Sequence, residues 1–284
     1  MKPPPYIISP EQKAFFEENG YLVLPTISSD LSKNIVEWTY EVKSLPHRSD
    51  AWMHYDEVIP GSKGERTLSR TENFADYHQG FNDLFRGKLV LGILKQLSEE
   101  EMVLFKEKIN YKAPWAGGYR AHVFGLDVLL VTPPPIDVKH LSLLMAVEPA
   151  TFENGCLEVV AGSQNPPEPI PLGEDQCISD EWCAKQTWTP VPLETGQLLI
   201  FGSYLAHRSA DNKSPNGRAA IYVTYNALSE GGDMHEAYYE NRRQHWPPTA
   251  DRAPGQKYEA GARMYAFGSP MLSVDPEKYK DTGL

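Results

Sequence analysis

Residues 198–225 read LLIFGSYLAHRSADNKSPNGRAAIYVTY. Leu198 to Phe201 form an apolar, strand-like run that leads to His207. Ser209 follows two residues later, so on a strand it shares the histidine's face. Asp211 to Gly217 is rich in turn formers, and Arg218 then opens a second strand-like run, Ala219 to Tyr225. This pattern predicts two strands joined by a turn, with a histidine and an arginine brought side by side. A neutral imidazole is a common ligand for divalent iron, and arginine binds carboxylates in a forked, bidentate way. The bland reading of the same residues is a histidine near a turn and an arginine facing solvent.

Working outward, short apolar runs alternate with Gly, Pro and Asn turns at 103–111, 119–132, 140–148, 156–160, 188–192, 197–205 and 219–226. Short strands at this spacing predict a mainly β protein, a sandwich or double-stranded barrel. Ahead of them, Ser9-Pro10-Glu11 has the form of a helix start, and a short helix is expected over 9–19. Residues 20–25 read as a strand and about 31–44 as a second helix. Residues 74–98 carry apolar residues at helical spacing, including Phe81, Leu84, Phe85, Leu94 and Leu97. Residues 165–185 read as a loop, and the last fifty as a polar covering tail with aromatic anchors. The expectation is one domain over residues 1–284: a helical N-terminal third, a β core at about 103–227, and the tail.

The chain has 284 residues, enough to bury a core without staples. Its formal net charge of −11 disfavours nucleic acid or an anionic membrane as a partner. A small anion held in a local basic pocket is compatible with that charge. Cys156, Cys177 and Cys183 are few and odd in number, which predicts free thiols and a reducing compartment. No apolar leader or long apolar stretch is present, so the reading is a cytoplasmic protein. Homo- or heterodimeric assembly stays open.

Two further segments join the first. One is Glu153 to Gln164, ENGCLEVVAGSQ; the other is Lys106 to Lys112, KEKINYK, followed by Gly117-Gly118-Tyr119-Arg120-Ala121-His122. With Gly196 to Arg218 they stand in the order and approximate spacing of the phytanoyl-CoA dioxygenase-like family, and the resemblance runs from about residue 12 to 227. That family belongs to the Fe(II)/2-oxoglutarate-dependent oxygenases. The resemblance implies flanking helices around a double-stranded β-helix (jelly-roll, cupin-like) core. It implies iron(II) held by two histidines and a carboxylate, with 2-oxoglutarate as co-substrate. On this chain His122 matches the first histidine and His207 the distal one. Arg218 matches the co-substrate arginine and Ser209 its helper, while Lys112 and Asn110 match polar positions turned toward co-substrate or substrate.

The chain departs from the family at one ligand. The family pattern is His-x-Asp, whereas here His122 is followed by Val123, Phe124, Gly125, Leu126 and Asp127. Phe124 cannot ligate a metal. Asp127 lies five residues from the histidine, on the opposite face of a straight strand. A bulge at Gly125 would return it to the histidine's face. Three arrangements follow: Asp127 as a displaced ligand, a site of two histidines only, or a lost metal site. The triad carried forward is His122, Asp127 and His207.

The expected activity is oxidation of a small-molecule metabolite by O2, with 2-oxoglutarate converted to succinate and CO2. Tyr111, Tyr119 and Phe124 are expected to wall the substrate, with Arg70 available for an anionic group. The competing classes are an inactive jelly-roll binding or partner subunit and a non-oxidative metal enzyme on the same scaffold. Arg70 to Phe74 reads as a helix cap or a substrate mouth, and Trp52 to Tyr55 as an aromatic piece of core.

Overall fold

A computed structural model describes residues 6–59, 62–123, 140–173, 175–266 and 269. The strands are β1 (Tyr21–Leu24), β2 (Met53–Val58), β3 (Arg66–Glu72), β4 (Met102–Lys112), β5 (His140–Ala146), β6 (Leu157–Val159), β7 (Thr189–Val191), β8 (Leu198–Gly202), β9 (His207–Ser209) and β10 (Arg218–Ala227). Seven form one antiparallel sheet in the order β1-β8-β5-β10-β4-β3-β2; the other three form a small sheet, β7-β6-β9. This is the mainly β architecture that the strand spacing predicts, with the flanking helices and the jelly-roll core that the family resemblance implies.

The large sheet is buried on both faces, which is why its central strands read as continuous apolar runs. Every residue of β5 is buried. Toward the small sheet, Leu144, Ala146, Leu199, Phe201 and Ala220 pack against Leu157, Val159 and Val191. The opposite face carries Leu143, Met145, Ile200, Ile221 and Val223, and these pack under the helices. Helix α1 (Pro10–Asn19) begins with a reciprocal capping box between Ser9 and Gln12, and α2 (Ser29–Lys43) is capped by Ser28. The helical spacing at 74–98 resolves into a 3-10 turn at 75–77, α3 (Gln79–Phe85) and α4 (Lys88–Ser98). Gly87 breaks the run: a Cβ there would lie 2.2 Å from the carbonyl oxygen of Asp83.

Several boundaries differ from the sequence reading, each for a physical reason. The expected strand 197–205 ends at Gly202, and the chain turns there with the Leu205 amide donating to the Gly202 carbonyl (3.2 Å). His207 therefore opens a strand of the other sheet. β2 and β3 are strands that the reading took for core aromatics and a helix cap. β3 hides its strand character because Arg70, Thr71 and Glu72 are polar yet buried. The loop 165–185 contains α5 (Asp180–Ala184), and the tail folds into α6 (His235–His245) and α7 (Glu259–Tyr265). Tyr238, Tyr239, Trp246 and Tyr265 do anchor it, against Met53, Tyr55 and Phe105. Of the expected strand 119–132, His122 forms a bridge to His207, and the part from 124 onward lies outside the described residues. Cys156, Cys177 and Cys183 are free thiols. Among the described residues, no helix is long and apolar enough to cross a membrane.

Phe81 locks the helical layer to itself. It is fully buried, meets Phe74 edge-on at 5.0 Å and stacks on Phe85 at 5.2 Å. Truncation of such a ring leaves a cavity that a rigid aromatic cluster cannot collapse. Phe81→Ala is expected to lower unfolding free energy by about 3–5 kcal/mol, read by denaturant titration; a loss under about 1 kcal/mol would show that the cluster is loosely packed.

Candidate active site

His122 and His207 face each other across an antiparallel bridge. The amide of His122 donates to the carbonyl of His207 (3.0 Å), and the reverse bond is 3.1 Å. Opposed residues on paired strands point to the same side, and the two rings stand 4.2 Å apart, centroid to centroid. Each ring is steered by the same local device. Nδ1–H of His122 donates to the Arg120 carbonyl (2.7 Å), and Nδ1–H of His207 to the Leu205 carbonyl (2.8 Å). A carbonyl can only accept, so Nδ1 carries the proton and Nε2 keeps the lone pair that a metal uses. Both rings are buried. Burial pushes the His122 imidazole down to about 4 and holds His207 well below the ordinary histidine range. Neutral, paired and pre-oriented imidazoles fit a divalent metal. Among the described residues, no third His, Cys, Asp or Glu completes a metal-binding group with them. Asp127 and Phe124 lie outside the described residues.

Beside the pair, β10 and β4 bring Arg218 opposite Lys112. Arg218 donates through Nε to the Asn154 carbonyl (3.2 Å) and through Nη2 to the Gly155 carbonyl. The Lys112 ammonium donates to the Gly155 carbonyl and the Ser209 hydroxyl (3.4 Å each) and to the Ala210 carbonyl. The Ser209 hydroxyl also accepts the Tyr119 amide (3.1 Å). Gly155 makes this possible: its φ is +72°, and a Cβ would lie 2.2 Å from the Ala210 carbonyl oxygen and 2.6 Å from Lys112 Nζ. Burial, then the neighbouring Arg218 charge, lowers Lys112 to about 7. The structure thus gathers Arg218, Lys112 and Ser209 into one cationic nest, suited to a carboxylate.

Asn110 belongs elsewhere. Its Oδ1 accepts Nε of Arg70 (2.9 Å). Arg70 also donates to the Tyr119 hydroxyl (2.7 Å) and pairs with Glu72 (3.3 Å). Glu72 in turn binds Arg242 of α6, at 2.8 Å to Nη2 and 2.5 Å to Nε. Lys106 and Lys108 stand on the same strand face as Asn110 and Lys112, since alternate residues share a side. Arg70, Lys106, Lys108, Tyr119, Tyr222 and Arg242 line one cavity with His122. Burial pushes Lys106 down to about 7, with the Arg242 charge next, and places Lys108 far below the lysine range, with Arg70 next.

Tyr111 is not on this wall. It occupies the other face of β4, where Thr71 Oγ1 lies 3.4 Å from its hydroxyl and Lys43 lies over its ring. The expectation that it contacts substrate gives way to a place under the helices, because beyond the register shift near Phe105 the odd positions Ile109 and Tyr111 point there. Sequence assigned no role to Lys106, Lys108 and Arg242, and gave Glu72 only a place in the Arg70–Phe74 cap or substrate mouth. The first two carried a signal, the period-two row Lys106, Lys108, Asn110, Lys112 on a strand; Arg242, 130 residues downstream of Lys112, carried none.

Paired histidines in a jelly roll, with a cationic carboxylate nest alongside, define the class of iron(II)/2-oxoglutarate-dependent oxygenases. Residues 16–220 match the phytanoyl-CoA dioxygenase (PhyH) family, and the chain belongs to it. It is an enzyme of that class, whose cofactors are iron(II) and 2-oxoglutarate. A 2-aminoethylphosphonate dioxygenase from an uncultured bacterium (HF130_AEPn_1) is 33% identical over 262 residues, covering 92% of this chain and 97% of that one. A methylphosphonate hydroxylase from Gimesia maris is 33% identical over 256 residues, 90% and 94% of the two chains. The crystal structure of EctD from S. alaskensis with 2-oxoglutarate and 5-hydroxyectoine shares the fold at TM-score 0.65 and 20% identity, covering 78% and 77%.

The buried neutral histidines make stability depend on pH in a defined direction. Their folded-state values lie below the ordinary 6.5, so the unfolded chain binds more protons as pH falls. Metal-free protein is expected to lose melting temperature progressively from about pH 6.5 toward pH 4. His122→Asn should flatten that slope; an unchanged slope would mean other groups set it.

Proposed function

We propose that this enzyme uses iron(II) and 2-oxoglutarate to hydroxylate a C–H bond of a small anionic metabolite, of the organophosphonate class. The observation that carries the reading is the group of basic side chains, Arg70, Lys106 and Arg242 buried and Lys108 half-buried, on the cavity that also holds His122. Basic side chains gathered on one cavity beside the paired histidines favour an anionic ligand there. The phosphonates named for the two bacterial relatives are anions of this kind.

In this reading His122, His207 and Asp127 hold the iron, and Arg218, Ser209 and Lys112 hold the far carboxylate of 2-oxoglutarate. Iron with 2-oxoglutarate bound supplies the oxidising power for C–H cleavage. Overall, substrate C–H, O2 and 2-oxoglutarate give substrate C–OH, succinate and CO2. The chain's own residues position and shield. Arg70, braced by Asn110, Tyr119 and Glu72, presents a fixed guanidinium to the substrate anion. Lys106 is half-protonated near neutrality and takes up a proton as the anion arrives. Phe201, 5.0 Å from the His207 ring, closes the apolar side of the pair against water.

Anaerobic titration with Fe(II) and 2-oxoglutarate should raise the weak visible charge-transfer band of the chelate; its absence, with no metal in the isolated protein, rejects the reading. Asp127→Ala should abolish the band, and a band that survives intact identifies a site of two histidines. Arg218→Ala should raise the KM for 2-oxoglutarate at least about tenfold, since a charge-assisted bidentate contact is lost. Deprotonation of Lys106 weakens anion binding, so KM for the phosphonate substrate should climb as pH rises through about 7. Steady-state kinetics over pH 6–9 with Lys106→Met as control reads this; a climb retained in the variant removes Lys106 from the role.

A further inference from the structure

Residues 118–122 lie along β9 as a strap. The Gly118 amide donates to Asp211 Oδ1 (2.8 Å), Tyr119 exchanges two hydrogen bonds with Ser209, and His122 exchanges two with His207. The two bonds at Tyr119 are of different kinds. The Ser209 amide donates to the Tyr119 carbonyl (3.1 Å), whereas the Tyr119 amide turns to the Ser209 hydroxyl (3.1 Å). Gly118 lets the strap press this closely, because a Cβ there would lie 2.1 Å from the Ser209 carbonyl oxygen.

Tyr119 thus has one end in each of two places. Ser209 Oγ receives Lys112 Nζ (3.4 Å) as well as the Tyr119 amide. With two N–H groups directed at its oxygen, the hydroxyl has its own proton to offer to a carboxylate in the nest. A hydroxyl that donates is also a better acceptor, so a carboxylate there tightens the hold on the Tyr119 amide. At the other end, the Tyr119 phenol accepts Nη2 of Arg70 (2.7 Å), while Asn110 and Glu72 take Nε and Nη1. The ring between is rigid, so the main chain at residue 119 sets where the phenol stands, and the phenol sets the buried guanidinium.

We propose that Tyr119 is a positioning residue that links the two anion sites: a carboxylate in the nest of Arg218, Lys112 and Ser209 fixes its main chain, and its phenol then fixes Arg70 for the substrate head. This rests on the proposed reading of both sites and adds the route between them. Linkage is reciprocal, so each anion tightens the binding of the other by the same factor. Through space two anions repel, and direct interaction alone makes the second bind more weakly. A tightening is therefore the mark of a route through the protein.

Anaerobic calorimetry on iron(II)-loaded protein tests this, with methylphosphonate and 2-aminoethylphosphonate each titrated with and without saturating 2-oxoglutarate. In the wild type, Kd for the phosphonate is expected to fall at least about fivefold when 2-oxoglutarate is present, and Kd for 2-oxoglutarate to fall by the same factor when the phosphonate is present. Tyr119→Phe keeps ring and main chain but removes the acceptor for Arg70, and should bring that factor below about twofold. Ser209→Ala cuts the other end and should do the same, whereas Ser209→Thr retains the hydroxyl and should keep the factor. A residue that merely touches the substrate would weaken the phosphonate equally in both states and leave the factor unchanged. Melting curves confirm that each variant is folded. A wild-type Kd that does not fall with 2-oxoglutarate overturns the proposal, as does a factor retained in folded Tyr119→Phe or Ser209→Ala. If neither phosphonate binds in either state, or 2-oxoglutarate does not bind, the reading of that site is wrong and the proposal falls with it.

Discussion

Two backbone hydrogen bonds between His122 and His207 hold the site together. They tie the segment after Tyr119 to the edge of the small sheet and oblige the two side chains to leave it on one side. The rings then need only a tautomer and a rotation, and the carbonyls of Arg120 and Leu205 supply both. Each carbonyl lies two residues before its histidine, so the orienting group is part of the same chain segment. The mutual placement of the two imidazoles is thereby written into strand pairing, which is cooperative, and not into flexible side chains.

The arrangement leaves a large electrostatic debt in the interior. Lys106, Lys112, Arg70, Arg218 and Arg242 are buried and Lys108 is half-buried. The fold meets part of this with Glu72, which binds two arginines at once, and part with carbonyls at Gly155, Asn154 and Ala210. Burial leaves Lys106 and Lys112 with protons that are loosely held. A lysine near neutrality is a group that a ligand's charge can still switch, since its protonation and the anion's binding are linked. The acidic exterior, net charge −11, therefore says nothing about this interior.

Much of this was legible in the sequence where period and composition agreed. The apolar runs gave the central strands, because both faces of the large sheet are covered. His207, Ser209 and Arg218 were readable because a turn-rich spacer fixes their relation. β3 was missed because a strand that lines a charged cavity looks polar, and polarity imitates a cap or loop. Tyr111 was misplaced by neglecting its parity on β4, which the neighbouring lysines and Asn110 already set. Arg242 was out of reach: nothing local marks a guanidinium that becomes buried only when α6 docks beside β3.

On the proposed reading, β4 serves two ligands without mixing them. Lys106 and Lys108 face the cavity with His122, while Lys112 at the far end of the same face joins Arg218. Asn110 lies between them and commits its oxygen to Arg70, so the two cationic regions are bridged by a neutral side chain. On the proposed reading, a co-substrate carboxylate and a substrate head are separated along a single row at strand spacing. The nest at Lys112 is carbonyl-rimmed and narrow, with Gly155 needed to admit the backbone. The region at Lys106 is ringed by phenols and open to a bulkier group.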